Sequence, residues 1–366
     1  MTYEAEIGMA VEGLDTPALL VDFDLLRQNI NRLAEHFASL PAVLRPHIKT
    51  HKCPQIANLQ IGAGAVGITC AKVSEAEVFA DAGINDILIA NQVTGGAKID
   101  RVTDLARRCD LMVAVDDPDN VSDLSRVCRE KGVTLGVLVE VDIGMQRCGV
   151  QPGDETLALA RAVEAAEGLV FQGLQAYEGH LVLVDDPAQR AAQVKEAFAP
   201  LEETLTLLRR EGLQPDIVSG GGTGTYDVAG AQTPLTEIQA GSYVFMDATY
   251  QPIRPEFQTS LQVLSTVVSR PVPERLVTDA GLKSMTSEFG WPPLIGGWEA
   301  EMNYLSEEHA VLTLDEPGKV DLQGGDKVRF LPSHVCTTVN LHDDFYVHRD
   351  GVLIDIWPIA ARGCAQ

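Results

Sequence analysis

Between Ala18 and about Ser242, short runs of β-branched and other apolar residues alternate with longer stretches in which apolar positions recur every three to four residues. That rhythm predicts strands buried on both faces, each followed by a helix packing one apolar stripe against them, which is the pattern of βα units around a parallel sheet. The strands read as ALLVD near Leu20, VLRPHIK ending at Lys49, VGITC ending at Cys70, DILIA near Leu88, LMVAV near Val113, LGVLVEVD ending at Asp142, VFQGLQAY ending at Tyr177, DIVSGG ending at Gly220 and EIQAG near Gln239. Asp24 to Phe37, Ser74 to Ala82 and Ala188 to Glu211 read as helices between them. Eight or so strands in this order favour a closed (β/α)8 barrel over an open doubly wound sheet, and no GxGxxG follows the first strand. After Tyr250 the texture changes to LQVLSTVVSR, ERLVTDAG, HAVLTL, KVRFLPSH, FYVHRDG and VLIDIWP, separated by Pro, Gly and Asp. The expected architecture is α/β plus β: a TIM-type (β/α)8 barrel over residues 16–250 and a C-terminal mostly β domain over residues 251–366, which residues 1–15 are expected to join.

At 366 residues the chain has room for a barrel of about 250 residues and a smaller partner. Charged residues make up 22% and the net charge is −24, with no Lys/Arg cluster to overcome it, so a nucleic-acid partner is not expected. Met1 to Leu14 has neither a signal-like pattern nor a stretch able to span a bilayer, so no membrane partner is expected either. Seven cysteines without CxxC spacing suit a reducing compartment, and the protein is expected to be cytoplasmic.

Catalytic residues of a parallel barrel gather where its strands end. RPHIKTHK, Arg45 to Lys52, closes a predicted strand, and alternation there points His47, Lys49 and His51 to one side. A lysine facing a barrel mouth loses solvation and with it part of its basicity, which suits imine formation; a solvated basic turn is the alternative. SGGGTGTY, Ser219 to Tyr226, offers backbone amides unobstructed by side chains, as a phosphate cradle or merely as a tight turn, and QAGSYVFMD, Gln239 to Asp247, ends the next strand. Arg147 and Tyr177 fall just after strands. In PSHVCTTVNLHDD, strand spacing would point His334 and Cys336 the same way, offering imidazole and thiolate to one metal, although a lone HxC is also compatible with a structural role.

Taken together, DTPALLVD, RPHIKTHK, CAKVSEAE, EVDIGMQRCG, GLQAYEGH, SGGGTGTY, QAGSYVFMD, DAGLKSMTSEFG and SHVCTTVNLHDD, in this order, resemble the D-threonine aldolase and D-serine dehydratase family of pyridoxal-phosphate enzymes, whose barrel is of the alanine-racemase type. The resemblance implies Lys49 as the imine lysine, Arg147 against the pyridine nitrogen and Tyr177 in the cofactor pocket. It implies Gly221, Gly222, Thr223, Gly241, Ser242 and Tyr243 around the phosphate, His51 as an acid or base, and His334 and Cys336 as the metal pair. Manganese, zinc, magnesium and cobalt all suit such a pair completed by oxygen ligands. Aldolases of the family often have Asp at the second metal position and the dehydratases Cys, whereas the segments around Cys336 look more like the aldolase branch.

The implied reaction is retro-aldol cleavage of β-hydroxy-D-amino acids, D-threonine giving glycine and acetaldehyde. The competing reading is a D-serine or 3-hydroxy-D-aspartate dehydratase giving a keto acid and ammonia. A noncatalytic pyridoxal-phosphate carrier would need neither the β domain nor the metal pair, and a racemase would need a second acid/base instead of a metal. Family members also place a second subunit's β domain at the barrel mouth, so the resemblance implies a homodimer.

Overall fold

The computed structural model describes residues 5–366, which divide into two compact units. The larger comprises Leu33–Lys49, Ile56–Gly241 and Gly363–Gln366; the other comprises the chain up to Arg32, Thr50–Gln55 and Ser242–Arg362.

The larger unit is the (β/α)8 barrel. Its eight parallel strands run in the order Val43–Leu44, Glu237–Ile238, Ile217–Gly220, Leu169–Ala176, Leu135–Glu140, Asp110–Val115, Asp86–Gln92 and Ile68–Cys70. The ring closes where Val66 N donates to Leu44 O at 3.0 Å and His47 bridges Thr69. Strand interiors are nearly all apolar and buried, Val137, Leu138 and Val139 fully so, because both faces are covered. The intervening helices carry local stop and start signals. Helix Pro118–Lys131 begins at Asp117, whose side chain accepts from Asp119 N and Asn120 N, and ends at Gly132 in the left-handed region.

The other unit is built on a nine-stranded mixed sheet. Here the structure corrects the expected role of ALLVD. Ala18–Asp22 pairs antiparallel with Leu261–Val272 on one side and parallel with Asp344–Arg349 on the other, inside the β sheet rather than in the barrel. Its first four residues are buried, and a short apolar run of this kind suits any doubly covered strand, so hydropathy alone does not name its neighbours.

Two further corrections concern segments with candidate chemistry. VLRPHIK is a strand only over Val43–Leu44: Pro46 has no N–H to give a ladder, and Ile48–Thr50 forms a 3-10 turn. SHVCT is likewise not a strand, since His334 caps a short helix, Val335–Val339. The two-residue alternation invoked for His47, Lys49 and His51, and for His334 and Cys336, therefore does not operate. Among the described residues no helix is long and apolar enough to cross a membrane.

Candidate functional site

In the barrel unit, Lys49 lies in the 3-10 turn after the first barrel strand, half-buried, with its backbone N–H 3.4 Å from His47 Nδ1. His47 N donates in turn to Ala240 O at 3.2 Å, which sets this turn beside the segment ending at Gly241. Arg147 and Tyr177, thirty positions apart in sequence, meet: the guanidinium carbon lies 5.7 Å from the ring centroid, within cation–π range. Gly222 packs on the same ring, since a Cβ there would stand 3.3 Å from the Tyr177 hydroxyl and Cε2. The glycine-rich loop needs its glycines. A Cβ at Gly224 would sit 1.8 Å from Val182 O, and Gly221 has φ +73°. Thr223 is buried within the same loop. A strand end followed by such a bare-backbone loop fits a phosphate.

A polar belt that sequence patterning did not single out crosses the ends of these strands. Gln239 Nε2 donates to Ser219 Oγ at 2.9 Å and to Gln175 Oε1 at 3.3 Å, and Gln92 Nε2 donates to Glu140 Oε2 at 2.5 Å. Burial pushes the Glu140 carboxyl up, against the Gln92 hydrogen bond and the charge of Arg147, whose guanidinium stands 3.8 Å away. The signal was present as one polar residue at the end of each apolar run. Glu178, beside Tyr177, was also missed: it is fully buried and bonded to Thr225 of the glycine-rich loop.

In the β unit, His51 is fully buried, and its Nδ1 accepts from Cys53 N at 3.1 Å, which places the proton of the neutral ring on Nε2. Ser242 and Tyr243 open a 3-10 turn; Tyr243 is fully buried, its ring centroid 5.9 Å from that of Phe257. His334 and Cys336 come within hydrogen-bonding reach of each other despite the helical backbone. The Cys336 Sγ also lies 3.3 Å from the Thr50 hydroxyl.

Asp247 orients His334. Its Oδ2 bonds His334 Nδ1 at 2.9 Å and accepts from Val335 N at 3.0 Å, while Oδ1 accepts from Thr249 N and Tyr250 N. Asp247 thus holds the proton on Nδ1, so that loss of the Nε2 proton to an incoming cation would leave Nε2 as the lone-pair donor, the arrangement usual for a metal-binding histidine. Burial alone would lower the basicity of His334, but Asp247 and Cys336 outweigh it and push the pKa up to about 10. A place that so favours a proton on imidazole favours positive charge, and the imidazole–thiol donor pair suits a divalent cation. The Phe289 ring stands edge-on to the imidazole at 5.1 Å, with Tyr250 at 6.1 Å.

Three of the four non-glycine residues with positive φ among the described residues flank these groups: Lys52 (φ 53°) after His51, Gln146 (φ 56°) before Arg147 and Met246 (φ 55°) before Asp247. Such backbone costs roughly 1–3 kcal/mol each and concentrates at functional sites.

Comparison with known proteins accords with this arrangement. Residues 21–249 match the family described as alanine racemase, N-terminal domain, and residues 260–348 match the serine dehydratase domain. The chain belongs to this alanine-racemase-type family of pyridoxal-phosphate enzymes. Within it, the chain is 42% identical to D-threonine aldolase of Arthrobacter sp. over 99% of its own length and 96% of that protein. The crystal structure of D-threonine aldolase from Filomicrobium marinum superposes with a TM-score of 0.95 at 40% identity, covering 99% of this chain and 100% of that one. D-threo-3-hydroxyaspartate dehydratase of Delftia sp. HT23 gives 0.86 at 28% identity, covering 95% and 98%, and a cysteine-to-alanine mutant of a dehydratase of that name was solved in a metal-free form.

Proposed function

We propose that this chain is an aldehyde-lyase that cleaves β-hydroxy-D-amino acids between Cα and Cβ, D-threonine giving glycine and acetaldehyde, with pyridoxal 5'-phosphate and a divalent metal. The observation that carries the reading is the Asp247-oriented imidazole of His334 beside Cys336, in a chain that aligns end to end with D-threonine aldolases.

Lys49 would hold the cofactor covalently, with Arg147 and Tyr177 at its ring and Gly221, Gly222, Thr223, Gly241, Ser242 and Tyr243 at its phosphate. When bound, it supplies an electron sink for the pair released as a bond to Cα breaks. His334 and Cys336 would hold the metal, which at such a site supplies Lewis acidity toward a hydroxyl oxygen. Arg147, a hydrogen-bond donor with no acceptor atom, would donate to a ring nitrogen facing it and so favour that nitrogen's unprotonated form. His51, with its proton on Nε2, is the group assigned to proton transfer. We also place the protein in the cytoplasm, consistent with seven free cysteines, and assign it as a homodimer.

The test is incubation of the purified protein with pyridoxal phosphate, manganese and D-threonine, followed by product analysis. Glycine with acetaldehyde is expected. The dehydratase reading is favoured by one specific residue, Cys336, and 2-oxobutanoate with ammonia would establish it in place of the aldolase.

A further inference from the structure

Glu178 has no part in that scheme, yet it is a fully buried carboxyl under the glycine-rich loop. Its Oε1 lies 2.5 Å from Thr225 Oγ1, and Oε2 has no hydrogen-bond partner among the described residues. Thr225 in turn ties the loop together: its hydroxyl accepts from Gly222 N at 3.3 Å, and its N–H donates to Gly222 O at 3.1 Å. Glu178 thus meets the loop at the Thr225 hydroxyl, and that hydroxyl fixes the amide of Gly222.

Among the described residues no charged side chain acts on Glu178. What acts on it is burial, which pushes the carboxyl up, offset in part by the Thr225 hydroxyl and by the backbone amides of Glu178 itself and Gly221. An ionised carboxylate without a cation or a full set of donors is costly at such depth, and a dianion received by the adjoining amides would repel it further.

We propose that Glu178 is a positioning residue that works as a neutral carboxylic acid, holding Thr225 and through it the Gly221–Gly222 turn in the shape that receives the cofactor's phosphate. The inference rests on the reading of that loop as the phosphate site. Neutrality matters because one protonated carboxyl both bonds the loop and adds no negative charge beside the phosphate.

The test compares the parent with Glu178→Gln, a neutral isostere, and with Glu178→Asp and Glu178→Ala. Pyridoxal phosphate is titrated into each apoprotein and followed by absorbance, thermal melting confirms that each is folded, and infrared difference spectra of parent against Glu178→Gln seek the stretch of a protonated carboxyl. Glu178→Gln is expected to bind within about threefold of the parent, and Glu178→Asp about tenfold or more weaker, the scale of one buried hydrogen bond. The parent is expected to show the protonated-carboxyl band that Glu178→Gln lacks. A tenfold loss in folded Glu178→Gln, or no such band, would overturn the inference and make the ionised carboxylate the working form. Should Glu178→Ala not fold, the comparison of Gln with Asp decides. A parent that binds no pyridoxal phosphate at all sinks the cofactor reading itself, a different failure from loss of binding in Glu178→Gln alone.

Discussion

At the scale of single residues, ligand strength depends on orientation as much as on identity. His334 owes its Nδ1–H tautomer to Asp247, a fully buried residue with both oxygens engaged. Asp247→Asn keeps the volume and removes the charge, and is expected to weaken metal binding about 10–100-fold, read by calorimetric titration of manganese into metal-stripped protein. Lys49→Ala is expected to abolish covalent attachment: after borohydride reduction of cofactor-loaded protein, peptide mass spectrometry should find the label on Lys49 in the parent and no labelled peptide in the variant. Lys49, Arg147, Tyr177, His334 and Cys336 stood out as candidates in the sequence because each falls at or just after a predicted strand among other reactive side chains, and the resemblance supplied the roles proposed for them. Asp247, Glu140 and Glu178 did not stand out, although each lies within a segment that drew attention. An acidic side chain reads as solvated until its burial is known, and their partners lie 87, 48 and 47 positions away.

At the scale of elements, most strands and helices follow from period and capping, and the exceptions have local causes. The helix expected over Asp24 to Phe37 is Phe23–Phe37, and the one expected over Ala188 to Glu211 is Pro187–Arg210. Apolar period gives a helix body reliably because every turn repeats the signal, whereas RPHIKTHK and SHVCT are too short for a period to establish itself, and a proline or a cap decides instead. Caps are therefore where single changes act on elements. Asp117→Ala removes the acceptor of two first-turn amides and is expected to cost about 1 kcal/mol, seen as a lower urea midpoint with unchanged slope.

At the scale of the whole molecule, the barrel and a β-rich partner were legible from the switch in texture near Tyr250, but the route of the chain between them was not, because strand partners are set by packing rather than by local pattern. Acid should act on the β unit, which holds His342 and His348. Burial keeps both imidazoles below their ordinary range. An unfolded histidine takes up its proton from about pH 6.5 downward while these two do not, so the stability they confer is present above that pH and lost as pH falls through their folded values. Urea midpoints are expected to decline from about pH 7.5 to about pH 5, and His348→Gln should flatten part of that decline; an equally steep profile in the variant would assign the loss to other groups.

Ala18–Asp22 pairs with Leu264 to Leu261 on one side and with Tyr346 to His348 on the other. On the ribosome this apolar segment waits for partners synthesised about 250 and 330 residues after it, which at roughly 5–20 residues per second means tens of seconds with both its edges open. The barrel's own strands can begin to pair during that interval. The strand Ala18–Asp22 is thus made well before its partners and is among the last to find its place, which makes it a natural target for a chaperone that holds extended apolar chain.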